Sequence, residues 1–149
     1  MHLLRAEKGY IVVGQDTDGT VTPLDLNLNW MIGKNKKDFI GKRSLIRSDT
    51  SRRGRKQLVG ILAVDKSKII EEGQHVVEQS SIPAKIKFPI KYLGHITSSY
   101  HSPTLNYYVA MAMIEGGNEL IGKKFYCLLY TSDAADDTPC VDLGGRRII

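Results

Sequence analysis

Between residues 57 and 129 the chain is cut into short β-prone runs, and this limits its fold more than any other feature. The runs are Gln57 to Val64, Gln74 to Glu78, Tyr92 to Ser99, Asn106 to Ile114 and Lys123 to Leu129. Gly60, Gly73, Gly94, Pro103, Gly116-Gly117 and Gly122 punctuate them. Short strands at this spacing predict a small antiparallel barrel or sandwich, because glycine and proline mark the turns. The 149 residues suffice for one ordinary domain or two small ones. Apolar residues at 42% and charged residues at 25% argue against wholesale disorder.

The first 56 residues read differently. Leu3 to Lys8 are good helix formers, and Gly9 suits the left-handed position that stops a helix. A helix already ending at residue 8 predicts a chain that begins mid-domain. Tyr10-Ile11-Val12-Val13 is a strand candidate. Residues 14–20 form a polar loop in which Asp16 and Asp18 are expected to cap turns. Thr22-Pro23 opens a short turn through Leu26. Leu28, Trp30 and Ile32 alternate with polar or flexible neighbours, as in a half-buried strand. One short helix is expected within Asp38 to Ile46. Residues 47–56 are polar throughout and mark the best domain boundary.

Charge is unevenly spread. The formal net charge is +5, yet Lys34 to Lys56 alone carries +8. A solvated helix-and-linker surface explains this most simply. Nucleic-acid binding is a second explanation, weakened by the lack of stacking aromatics other than Phe39. A third is a few lysines facing an anionic small molecule.

The segment 128–149 changes composition again, with four Asp, two Arg and no Lys. It shows neither a strand period nor a helical one. Its run Leu128 to Asp137, with Val141 to Ile149, resembles translated sequencing-adapter read-through, and the segment is read as a non-native tail. Cys127 and Cys140 lie in it or at its junction, so no disulfide or Cys–zinc framework is expected.

Most chemical motifs are missing. His2, His75, His95 and His101 have no metal-ligand spacing, and structural or surface roles are expected for them. There is no nucleophile elbow around Ser98-Ser99, no dinucleotide fingerprint and no phosphate-cradling Walker loop. No calcium-loop pattern surrounds Asp16 and Asp18. No stretch approaches a membrane span, and the N-terminus is not a secretory signal, so a cytoplasmic chain without a membrane partner is expected.

Three stretches together carry a specific signal: Leu4-Arg5-Ala6-Glu7-Lys8-Gly9, then residues 14–23 with Gln15-Asp16-Thr17-Asp18-Gly19, then Trp30 to Lys34 with Asp38 to Leu45. Gly94 to Ser99 and Ser102-Pro103 extend it. In their order and spacing these residues resemble the C-terminal part of the alpha subunit of heterotetrameric sarcosine oxidase. That subunit's last portion is similar to the glycine-cleavage aminomethyltransferase (T-protein) and to dimethylglycine dehydrogenase. The resemblance covers about residues 1–126.

The resemblance implies an α+β fold. Residues 1–46 would end an aminomethyltransferase-like folate-binding domain, 47–56 would be a basic linker, and 57–127 a small, truncated antiparallel β-barrel. It implies tetrahydrofolate as the cofactor, accepting the methylene group released when sarcosine is oxidised to glycine. Flavin and NAD belong to other portions of the parent enzyme. The implied partners are the N-terminal part of the alpha subunit and the other subunits, with no nucleic acid. The family's catalytic aspartate lies upstream of these motifs, so no catalytic residue is expected here.

Three residues fall on ligand-contacting positions of the family, Glu7, Trp30 and Lys36, and Arg5 belongs to the same Leu-Arg-x-Glu motif as Glu7. A carboxylate suits pterin N–H donors, an aromatic plane suits stacking, and a cation suits the glutamate tail. Lys36 stands where the transferases carry an arginine, which keeps the charge and loses the bidentate fork. Arg5 would orient Glu7 or reach the ligand. Each has a plainer alternative: an Arg5–Glu7 ion pair, a core aromatic at Trp30, and a solvated lysine at Lys36. The alternative functions are a glycine-cleavage aminomethyltransferase or dimethylglycine dehydrogenase relative and, remotely, a basic nucleic-acid-binding barrel.

Overall fold

The computed structural model describes residues 1–78 and 91–128, and the backbone of 138–144. Six antiparallel strands make a closed barrel, and an N-terminal arm of helix and turns lies against its outside. The strands are β1 (Lys56–Leu62), β2 (His75–Val77), β3 (Gly94–Ser102), β4 (Tyr107–Glu115), β5 (Lys124–Leu128) and β6 (Thr138–Gly144). Their order around the barrel is β1-β4-β3-β2-β5-β6. The first five match the five expected runs closely.

The last strand falls in the segment read from the sequence as a tail. The segment after Leu128 reads as periodless and the barrel as truncated, yet Thr138–Gly144 pairs with both β5 and β1. Without it, β1 and β5 would both present unpaired backbone groups. Closure is therefore decided by neighbouring edges rather than by the strand's own pattern. The rest of 129–149 and the side chain of Cys140 lie outside the described residues.

Two apolar clusters meet at β4. Ala110, Ala112 and Ile114 join Val59, Ile61, Ile96, Phe125 and Cys127 in the barrel interior. Met111 and Met113 point the other way and join Leu58 and Leu26, with Ile11, Val21 and Leu28 of the arm. β4 is thus covered on both faces, which is why it reads as an unbroken apolar run.

The arm departs from two strand expectations. α1 spans His2–Glu7 and stops at Gly9, which has φ 72°, as its composition predicts. Tyr10 to Val13, however, forms no strand. The Val12 carbonyl accepts the N–H groups of Gln15 and Asp16, and the Val12 N–H donates to the Asp16 carboxylate. Backbone groups paired so locally are not free for a ladder. Leu28 to Ile32 is likewise a 3-10 turn at Asn29–Met31, held by bonds from Met31 N–H to Leu28 and Ile32 N–H to Asn29. Trp30 is consequently exposed rather than half-buried. The short helix expected within Asp38 to Ile46 is a 3-10 helix, Lys42–Ile46. Thr22 caps the following turn as expected, accepting from the Asp25 N–H.

One glycine is required by close approach. A Cβ on Gly94 would lie 1.8 Å from the Met113 carbonyl oxygen, at the β3–β4 pairing. Gly94→Ala should therefore destabilise the chain by about 3 kcal/mol or prevent folding, because backbone cannot yield as a side chain does. Chemical denaturation checks this; an unchanged midpoint would contradict the strand register.

Candidate functional site

Two arginine–aspartate clamps fasten the arm to the barrel. Arg5, on α1, pairs with the Asp16 carboxylate, and their side chains are 10% and 0% exposed. Arg5 also donates to Gln15 Oε1 at 3.2 Å and to the Tyr100 hydroxyl at 3.1 Å. The other oxygen of Asp16 accepts from Thr97 Oγ1 at 2.6 Å and Ser98 Oγ at 2.8 Å, both on β3. One carboxylate so joins helix, loop and barrel. Burial works against the Arg5 charge, but the Tyr100 hydrogen bond and the Asp16 charge outweigh it and raise its pKa.

The second clamp is Arg55 with Asp25. Arg55 Nε reaches both Asp25 oxygens at 2.9 and 3.1 Å, and its other nitrogens reach Thr20 O and Asp49. Burial would raise the Asp25 pKa, yet hydrogen bonds from Arg55 and Thr22 hold it below its ordinary value. Segment 47–56 is thus more than a solvated linker: Arg55 is half-buried and its guanidinium is fully engaged. Lys34, Lys36, Lys37, Lys42, Arg43, Arg47, Arg52 and Arg53 are exposed, as the solvated-surface explanation holds.

The clamps flank a cleft of about 520 Å³ between the arm and the outer face of β3 and β4. Asp18, Lys56, His95, Thr97, Met113 and Glu115 line it. Burial, then the charges of Lys56 and His75, push the His95 pKa below the ordinary 6.5, with Asp18 opposing. Asp18 holds its own loop by accepting from the N–H and hydroxyl of Thr20. Among the described residues no group of three or more side chains could hold a metal ion.

The four residues singled out by the sequence lie outside this cleft's lining. Glu7 ends α1, is half-buried, and accepts from Ser102 Oγ at 2.6 Å. The Arg5–Glu7 ion pair does not form: residues two apart on a helix do not face each other, and Arg5 turns to Asp16. Trp30 is 69% exposed on its 3-10 turn, so it is not a core aromatic. Lys36 is exposed and lays its methylene stem over the Gly33 turn. No hydrogen bond, ion pair or ring contact among the described residues joins Glu7, Trp30 and Lys36 to one another.

Sequence reasoning missed Asp16 as a buried anchor and Ser102 as a partner of Glu7. A signal existed. Thr97, Ser98 and Ser102 put hydroxyls into a strand whose neighbours are apolar, and buried hydroxyls require partners.

Comparison with known proteins decides the family. Residues 56–133 match the glycine cleavage T-protein C-terminal barrel domain. This chain belongs to that barrel family. It is 46% identical over 123 residues to the sarcosine oxidase subunit alpha of Corynebacterium sp. strain P-1, covering 83% of this chain and 12% of that subunit. It is 34% identical over 123 residues to an aminomethyltransferase of Clostridium botulinum strain Loch Maree, covering 82% of this chain and 30% of the relative. The chain therefore spans a small part of the length of these T-protein-barrel relatives. The crystal structure of a glycine cleavage system aminomethyltransferase T from Bartonella henselae shares the fold, with a TM-score of 0.76 at 21% identity. That likeness covers 98% of this chain and 37% of the other. The expected small antiparallel barrel is therefore the family's own. No helix among the described residues is long and apolar enough to cross a membrane.

Removing one partner of a buried ion pair strands the other charge. Asp16→Ala should thus destabilise the chain by about 3–5 kcal/mol, read by denaturation. His95 gives a pH prediction. With its folded pKa depressed, the unfolded chain binds the proton more readily. Its contribution is intact above pH 6.5 and is lost as pH falls from 6.5 towards the folded value. His95→Gln should flatten the stability change between about pH 7.5 and about pH 5.5. An identical profile in the variant would show that His95 is not the titrating group.

Proposed function

We propose that this chain forms part of a tetrahydrofolate-binding wall in a sarcosine oxidase alpha-type enzyme. The bound folate would accept the one-carbon unit released from sarcosine. The observation that carries this reading is Glu7. Its carboxylate is half-buried at a helix end, with one oxygen held by Ser102 and no ion pair among the described residues. An ionised carboxylate has about four acceptor positions, so most remain for the N–H donors of a pterin.

Trp30 supplies an exposed indole face for stacking, and Lys36 a cation for the glutamate carboxylates. Arg5 acts at one remove, fixing α1 against the barrel through Asp16. No residue of this chain is assigned a bond-making step. The purified chain is expected to produce neither peroxide nor methylenetetrahydrofolate from sarcosine; production of either would refute that division of labour. Flavin and NAD are assigned to other portions of the enzyme. The rest of the alpha subunit and the other subunits are the proposed partners.

Trp30 is the single tryptophan, so its fluorescence reports the site directly. Tetrahydrofolate should quench it saturably. Glu7→Gln should weaken the apparent affinity by roughly tenfold or more, as expected for a lost hydrogen bond to a charged group. Absence of saturable quenching, or equal affinity in the variant, would defeat the reading.

A further inference from the structure

Ser102 is the last residue of β3 and is fully buried. Its Oγ accepts the Leu105 N–H at 3.1 Å. Its carbonyl accepts the Asn106 N–H at 2.7 Å, and Asn106 turns the corner at φ 57°. These bonds build the β3–β4 hairpin. A hydroxyl has a single proton, and here it is donated to Glu7 Oε1 at 2.6 Å. The serine is therefore held on the barrel side by the hairpin and on the arm side by Glu7.

We propose that Ser102 is a positioning residue for the folate-binding carboxylate. It restricts the rotation of Glu7, so that the remaining acceptor positions meet the ligand without reorganisation. A preorganised partner avoids the ordering loss that a free side chain suffers on binding. The barrel would then take part in ligand recognition through a residue that itself touches no ligand. This rests on the reading of Glu7 given above.

The test is a double-mutant cycle on the full chain, with tetrahydrofolate as the probe and Trp30 fluorescence as the readout. Ser102→Ala should weaken binding by about five- to tenfold in the wild-type background and by less than about twofold in Glu7→Gln. Ser102→Thr, which keeps the hydroxyl, should restore most of the affinity. Ser102→Cys, nearly isosteric with a weak donor, replaces Ser102→Ala if the latter fails to fold and should weaken binding in the same sense. Equal losses in both backgrounds would reveal a merely structural serine and overturn the proposal. So would unchanged affinity on loss of the hydroxyl. If Glu7→Gln binds as tightly as wild type, the folate reading of Glu7 falls first, and the role of Ser102 falls with it.

Discussion

The buried Asp16 carboxylate is the interaction on which the arrangement of arm and barrel depends. It receives Arg5 from the helix and two hydroxyls from β3, with Val12 N–H closing its own loop. A single charged group with partners on three elements sets their relative positions more narrowly than apolar contact can, because hydrogen bonds are directional. Removal of any partner would leave a desolvated charge behind. That asymmetry, rather than the net worth of the pair, makes the geometry stringent.

Around this anchor the barrel serves as a base for the arm. Leu58, Met111 and Met113 offer an apolar outer face that Leu26, Ile11 and Val21 cover. Asn27 and Asn118 exchange side-chain amide hydrogen bonds at 2.9 and 2.7 Å across the same seam. The arm's few regular elements gain their order from this docking, since a six-residue helix is not stable alone. Glu7 is presented at a defined place because α1 cannot shift along β3 without breaking the Arg5 network.

The barrel strands were legible because each carries its own signature: β-branched and aromatic residues between glycines. The arm was legible only in part. Gly9 announced the helix stop and Thr22-Pro23 the following turn, both local matters. Tyr10 to Val13 and Leu28 to Ile32 have strand-like composition, and the turns that claim them are made by Asp16 and by backbone bonds that no periodicity reveals. Asp16 reads as a turn cap because its decisive partners, Thr97 and Ser98, lie 81 and 82 residues away. Trp30 and Glu7 were singled out through family likeness, whereas the tie between Ser102 and Glu7 was hidden, since the two lie 95 residues apart and a serine before a proline looks like an ordinary turn residue.

The two-sided cover of β4 bears on how such a chain can diverge. Alanines 110 and 112 face a crowded interior, while methionines 111 and 113 lie under the arm. The interior side admits little added bulk, whereas thioethers adapt to an irregular overlay. Inherited change along this strand would accordingly be filtered by two unlike sieves in strict alternation, one for size and one for pliancy. Lineages that remodelled the arm would drift at the methionines and stand still at the alanines.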